Sequence, residues 1–306
     1  MCLRDLDFPS MALNIYATPD AKIKVTGTNT LIYTWQVDSP VKEQQVYNKF
    51  IEKSRDLLDE FQRLSIQDRK MRSAPSAERN AGRAKRDSIS AIIDKHNLEL
   101  MQELPVSSVW LDKLLGLSMT VRYKPEYAYK EETLALYNRL NEKQKASPSG
   151  QEIATNLFPP KAVEEGDDMA DADLFDLDGK IHHLADLKGK YILLDFWFRG
   201  CGACIMALPE MRELQEQYKE RLTIVSLSSD TPKNWKAASE EHEMPWLNLN
   251  NLKQITGLYA KYGVRGAPSY VLISLEGKIM KMWLGYRKGG LKEVIEKTVS
   301  EERKVF

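Results

Sequence analysis

Eight residues, Tyr191 to Phe198, form an apolar run broken only by Asp195, and Cys201 and Cys204 follow at once. A run that short and that apolar fits a strand covered on both faces, the central strand of an α/β sheet. The flanking sequence supplies the rest of such a sheet. A helix is expected over about Gly202 to Tyr218, a strand over Leu222–Leu227, and a second helix opened by Thr231-Pro232, in β-α-β-α order. Tyr270–Ser274 and Lys278–Leu284, joined through Glu276-Gly277, read as a hairpin, and a last helix runs from about Leu291 to Glu301.

The first half has a different texture. Short alternating runs at Ala12–Tyr16, Ala21–Val25 and Leu31–Val37, separated by Thr18-Pro19-Asp20 and Gly27-Thr28-Asn29, predict one small antiparallel sheet. From Val41 the period lengthens: Val46, Phe50, Leu57, Phe61 and Leu64 predict a long amphipathic helix. Pro75 interrupts it, and Ile89, Ile92 and Ile93 place a second helix against the first. Further helices are expected around Ser107–Leu117 and Glu131–Lys145, the latter stopped by Ser147-Pro148-Ser149-Gly150. The Pro159-Pro160 pair and the acids after it mark a boundary. The expected organisation is therefore a mostly helical N-terminal domain with a small antiparallel sheet over 1–158, and an α/β domain over 159–306.

With 306 residues, 44 Lys+Arg and 44 Asp+Glu, the chain carries no net charge that would draw it to nucleic acid or an anionic surface. No stretch approaches the roughly 20 apolar residues that span a bilayer, so no membrane span is expected. Met1 to Ser10 lack the basic start and apolar run of a signal peptide, so the chain is expected to be cytoplasmic or to have lost an export signal. Three cysteines are too few for a scaffold of structural disulfides, and Cys2 has nothing nearby to activate it.

The remaining pair carries the chemistry. Exchange between a dithiol and a disulfide needs an accessible thiolate that attacks, and a second thiol close enough to release the mixed intermediate. Two residues, Gly202 and Ala203, separate Cys201 from Cys204 at the start of a helix. There the helix dipole and unpaired N–H groups favour the anion of the first sulfur, which assigns attack to Cys201 and resolution to Cys204. Half of a zinc site has the same spacing, but none of His96, His182, His183 and His242 stands at ligand spacing to the pair. No metal and no cofactor is therefore expected. Asp195, alone in an apolar strand, should have a raised pKa suited to exchanging protons with Cys204; a structural aspartate bonded to backbone or water is the alternative. Pro209 should kink the helix that carries the pair. The adjacent His182 and His183 point to opposite faces of an extended segment and read as surface residues. Trp235 and Trp246 flank Glu240-Glu241-His242-Glu243, which reads as a solvated helix end.

The segment Leu194 to Pro209 resembles the active-site segment of thioredoxin. With Asp178-Gly179-Lys180, Leu187-Lys188-Gly189-Lys190 and Tyr262-Gly263-Val264-Arg265-Gly266-Ala267-Pro268-Ser269, the pattern over residues 165–306 resembles the TlpA/ResA-like branch of that superfamily. The resemblance implies a thioredoxin-like fold, a central mixed sheet flanked by helices, and thiol:disulfide exchange with protein substrates. It places Asp195 at the family's buried acid, and Pro268 at its cis-proline beside the redox pair; a trans proline opening a strand is the alternative. It also implies a substrate site made by Trp197, Gly202, Ala203 and the Ala267 backbone, with packing as the alternative reading of Trp197. Gly200, Ala203 and Ala207 depart from the tryptophan, proline and glutamate common in these families, so no redox potential carries over. The first half resembles the upstream region of many Bacteroidetes TlpA-like proteins, and the family implies a periplasmic or cell-envelope setting with an upstream redox partner. Two other functions are weighed. A thioredoxin-fold peroxidase would carry P-x-x-x-T-x-x-C, but Leu194 and Phe198 stand at its proline and threonine positions. A binding or assembly module would leave the redox pair secondary to the first half.

Overall fold

The computed structural model describes residues 2–4, 12–70, 76–124 and 126–305. Pro75 lies outside them, as do Met1 and most of the first ten residues. The chain divides into two compact units, Met1–Leu157 and Phe158–Phe306.

The first unit opens with two separate two-stranded antiparallel sheets, where the sequence predicts one. Strand β1 (Cys2–Arg4) pairs with β2 (Ala12–Asn14), and β3 (Lys24–Thr26) with β4 (Gln36–Asp38). The run Leu31–Val37 is not one strand because Asn29 captures its start. The Asn29 side chain accepts from Leu31 N at 2.8 Å and its carbonyl accepts from Trp35 Nε1 at 2.7 Å, which turns Ile32–Thr34 into a 3₁₀ turn. The long helix expected from Val41 is two, α1 (Lys42–Lys53) and α2 (Arg55–Lys70). Ser54 between them leaves the helical region at φ −126° and ψ 17°, and its hydroxyl lies 3.0 Å from His96 Nδ1 on α3 (Ser76–Glu103). Helix α3 packs along α2, with Arg86 paired to Asp68 at 2.9 Å.

Four helices complete this unit: α4 (Ser108–Tyr123), α5 (Lys130–Asn138), α6 (Glu142–Lys145) and α7 (Pro148–Leu157). The helix expected over Glu131–Lys145 is two, α5 and α6, and α6 ends at Lys145, at the stop expected in Ser147-Pro148-Ser149-Gly150. The same segment also starts a helix that the sequence reading does not anticipate: a proline's fixed φ suits the first turn, so Pro148 opens α7. Gly150 allows it, since a Cβ there would sit 2.1 Å from the Gln144 carbonyl oxygen. Phe50, Met101, Trp110, Leu114 and Ile153 form the buried centre of this unit.

The second unit is a thioredoxin-like fold. A short hairpin, β5 (Leu174–Phe175) and β6 (Ile181–His182), leads into β7 (Tyr191–Trp197), α8 (Gly202–Tyr218), β8 (Leu222–Ser228) and α9 (Pro232–His242). Then come β9 (Leu247–Leu249), α10 (Leu258–Lys261), the hairpin β10 (Ser269–Ile273) and β11 (Ile279–Leu284), and α11 (Gly290–Val305). The five-stranded sheet has the order β11-β10-β7-β8-β9, mixed because β7, β8 and β9 run parallel while β10 is antiparallel to both neighbours.

All seven residues of β7 are buried, as its composition demands. Side chains alternate across a strand. Ile192, Leu194 and Phe196 enter the core beneath α10, while Tyr191 and Leu193 pack on Ala207, Met211 and Leu214 of α8. Asp195 and Trp197 share the second face, and the active helix is thereby laid over them. Sequence reasoning missed β9, whose three residues are too few to show a period.

Candidate redox site

Helix α8 starts at the end of β7 after a three-residue turn, Phe198-Arg199-Gly200, and Cys201 is its N-cap. The backbone N–H of Cys204 donates to Cys201 Sγ at 3.1 Å, so the sulfur stands where a capping oxygen usually does. That N–H lies in the first turn, where it is shared with the Cys201 carbonyl at 3.1 Å, and with the helix dipole it favours a negative sulfur. Cys201 and Cys204 are joined in a disulfide, their Cα atoms 5.3 Å apart. Both are buried, Cys201 at 5% and Cys204 at 3% exposure, in a cluster with Trp197, Trp235 and Ala238.

The surroundings divide into a rim and a floor. Gly202 is exposed, Ala203 and Ala267 are half-buried, and Phe198 and Met206 present large apolar surfaces nearby in the chain. The Ala267–Pro268 peptide is cis, and Ala267 packs against the cysteine cluster. Trp197 is different: it is fully buried, so its ring packs the floor of the site and offers a peptide no surface. Pro209 lies inside α8. The next residue, Glu210, accepts from Gly289 N at 2.8 Å and Lys292 N at 3.0 Å, so the active helix caps α11.

Asp195 lies between Leu193 and Trp197 on the face beneath α8 and is 2% exposed. Burial pushes its carboxyl up to about 7, and a hydrogen bond from Ser226 opposes the rise. Ser226 Oγ donates to Asp195 Oδ2 at 2.8 Å; the other oxygen, Oδ1, is buried with no hydrogen-bond partner among the described residues. Ser226 is the parallel neighbour of Asp195 on β8, and Tyr270 its antiparallel neighbour on β10.

Both tryptophans read as flanking a solvated helix end turn inward instead. Trp246 Nε1 donates to Ser226 Oγ at 2.9 Å, giving a chain Trp246, Ser226, Asp195. Trp235 Nε1 donates to Asn248 Oδ1 at 3.0 Å, and β9 in this way fixes the ring that packs on the disulfide. Neither link is visible in a linear pattern, since each crosses strands. The available signal was Ser226 and Ser228, two serines on one face of an otherwise apolar strand. His182 lies at the surface hairpin with Nε2 2.7 Å from Asp176 Oδ2. Among the described residues no group of three or more His, Cys, Asp or Glu could hold a metal ion.

The profile of the AhpC/TSA family matches residues 166–282. The chain is similar to the thiol-disulfide oxidoreductase ResA of Geobacillus thermodenitrificans, 32% identical over 140 residues that span 44% of this chain and 79% of that protein. It is also similar to the thioredoxin-like protein YneN of Bacillus subtilis, 28% identical over 127 residues, 40% of this chain and 73% of that protein. Among solved structures, the thioredoxin domain of a thiol-disulfide oxidoreductase from Bacteroides vulgatus aligns at 30% identity and a TM-score of 0.41, over 44% of this chain and 98% of that one.

Proposed function

This chain belongs to the ResA-like thiol-disulfide oxidoreductases, and on that premise we propose that Cys201 is the attacking thiol, Cys204 the resolving thiol and Asp195 the group that takes the proton of Cys204. The capping of Cys201 Sγ by the Cys204 N–H is the observation that carries the assignment. In the reduced enzyme the same N–H and the helix dipole would lower the pKa of Cys201 relative to Cys204.

The Cys201 thiolate attacks one sulfur of a substrate disulfide, forming a Cys201–substrate disulfide and releasing the other substrate sulfur as a thiolate. Cys204 gives its proton to Asp195 and attacks Cys201 Sγ. The internal disulfide forms, the remaining substrate sulfur leaves as a thiolate, and the substrate thiolates take their protons from water. Two electrons pass from the cysteine pair to the substrate disulfide. An upstream dithiol partner then reduces the internal disulfide by the same chemistry in reverse.

Gly202, Ala203 and the Ala267–Pro268 backbone form the place where an extended substrate segment would lie. We propose further that the N-terminal unit holds a partner or covers a surface of the redox unit, and that the protein works in the periplasm or cell envelope, a reading that the likeness to ResA supports. Fractionation of the source cells checks the location. Among the described residues no helix is long and apolar enough to cross a membrane.

The test is turnover of a model protein disulfide by the purified chain with a small dithiol as reductant. Cys201→Ser is expected to abolish it. Undiminished turnover by that variant would overturn the proposal, and peroxide consumption at a comparable rate would favour the peroxidase reading instead.

A further inference from the structure

Asp195 is placed by its strand, but a strand position does not decide which way a carboxyl group turns. The two oxygens of Asp195 have opposite surroundings: Oδ2 accepts from Ser226 Oγ at 2.8 Å, and Oδ1 is buried and unpartnered among the described residues. A serine hydroxyl has one proton, so the direction of its bond depends on what else it meets. Here that is settled from the far side. Trp246 Nε1 can only donate, and it donates to Ser226 Oγ at 2.9 Å, which leaves the hydroxyl proton free to point at Asp195. Ser226 is fully buried, so no water competes for it.

We propose that Ser226, oriented by Trp246, is the positioning residue that holds Asp195 by Oδ2 and leaves Oδ1 as the oxygen that exchanges the proton with Cys204. The inference rests on the reading of Asp195 given above. Its consequence is asymmetric. The Ser226 hydroxyl stabilises the ionised carboxylate, so losing it disfavours the charged form and moves the titration of Asp195 to higher pH.

The groups that face Asp195 leave this shift unambiguous. From β10 comes Tyr270, whose buried phenol has no partner among the described residues and is held neutral by burial and by Asp195 and Glu210. Through the sheet, Tyr259 of α10 feels the Asp195 charge from the opposite face and is held neutral by burial, its hydroxyl 2.6 Å from the Trp197 carbonyl. Of the α8 residues, Cys201 and Cys204 pack with Trp197, two residues along the same face of β7, and Glu210, which acts with Asp195 on Tyr270, is engaged in capping α11. In the reduced protein the two thiols carry a different spectroscopic label from the Asp195 carboxyl.

The experiment follows the ¹³C carboxyl resonance of Asp195 through a pH titration of the reduced full chain. The rate of resolution of a Cys201 mixed disulfide is measured over the same pH range. Ser226→Ala is expected to raise the carboxyl midpoint by about one pH unit and to move the inflection of the resolution rate with it. Ser226→Thr is expected to restore both, and Trp246→Phe to shift both in the same direction by less. If Ser226→Ala leaves the midpoint and the inflection where they were while Asp195→Asn removes the inflection, the positioning role of Ser226 is wrong and the role of Asp195 stands. If Asp195→Asn keeps the inflection, the assignment of Asp195 as proton acceptor fails and this inference with it.

Discussion

A carboxyl group buried without a cation is a standing cost at neutral pH, and Asp195 shows how the sign of that cost can be read. Its folded-state pKa is raised to about 7 from an ordinary 3.8, first by burial. Between those values the native state holds a proton that the unfolded chain releases, so stability from this group is complete below about pH 4 and is lost as pH rises towards 7. Asp195→Asn is therefore expected to stabilise the oxidised protein at pH 8, by roughly 3–4 kcal/mol as an upper figure, and to change little at pH 4. Urea unfolding at the two pH values checks this. Equal stability of variant and parent at pH 8 would show that Asp195 is solvated or paired. A residue that lowers stability at working pH and is nevertheless placed against the redox helix is what a catalytic group looks like energetically.

At the scale of elements, α8 does two jobs. Its N-terminus holds the cysteine pair, and Glu210, one residue past the internal Pro209, caps α11 by accepting from Gly289 N and Lys292 N. Glu210→Ala leaves both N–H groups without this acceptor and is expected to cost about 1–2 kcal/mol. Glu210→Gln, which keeps an acceptor oxygen, should recover part of it, and thermal melting of the oxidised proteins measures both. If Glu210→Ala melts with the parent, the cap is not a stabilising tie.

Elements of this kind were unequally legible in the sequence. Helix α8 and strand β7 are legible nearly to the residue because an apolar run broken only by Asp195, with a C-x-x-C after it, admits few folds. The break between α1 and α2 at Ser54 is not, because no proline or glycine stands there and the contact of its hydroxyl with His96 comes from a distant part of the chain. The stop at Ser147-Pro148-Ser149-Gly150 is legible, but the start of α7 at Pro148 is not, since proline is compatible with both and the close approach of Gly150 to the Gln144 carbonyl is a matter of packing. At the site, the two cysteines, Asp195 and Pro268 were marked by chemistry or resemblance. The roles of Ser226 and Trp246 are not legible, beyond the hint of two serines on one face of β8, because they arise from strand pairing and from a loop folding back.

On the scale of the whole molecule, each unit buries its own core: Trp110, Leu114 and Ile153 among others in the first, and the two faces of the mixed sheet in the second. A unit with its own core is expected to fold alone. Residues 158–306 expressed by themselves should therefore exchange a small model disulfide at a rate close to that of the full chain. If the first unit holds a partner, the same fragment should lose preference among protein substrates taken up by the full chain. Equal preference would remove the partner-holding role while leaving the chemistry untouched.

The central claim is the division of labour between the two sulfurs, and the most direct measurement is to trap the intermediate. Cys204→Ser, incubated with a disulfide-bonded peptide and mapped by mass spectrometry after digestion, is predicted to carry one peptide, attached to Cys201. A peptide found on Cys2 in place of Cys201, or trapping on Cys204 in the converse Cys201→Ser variant when Cys204→Ser traps none, would contradict it.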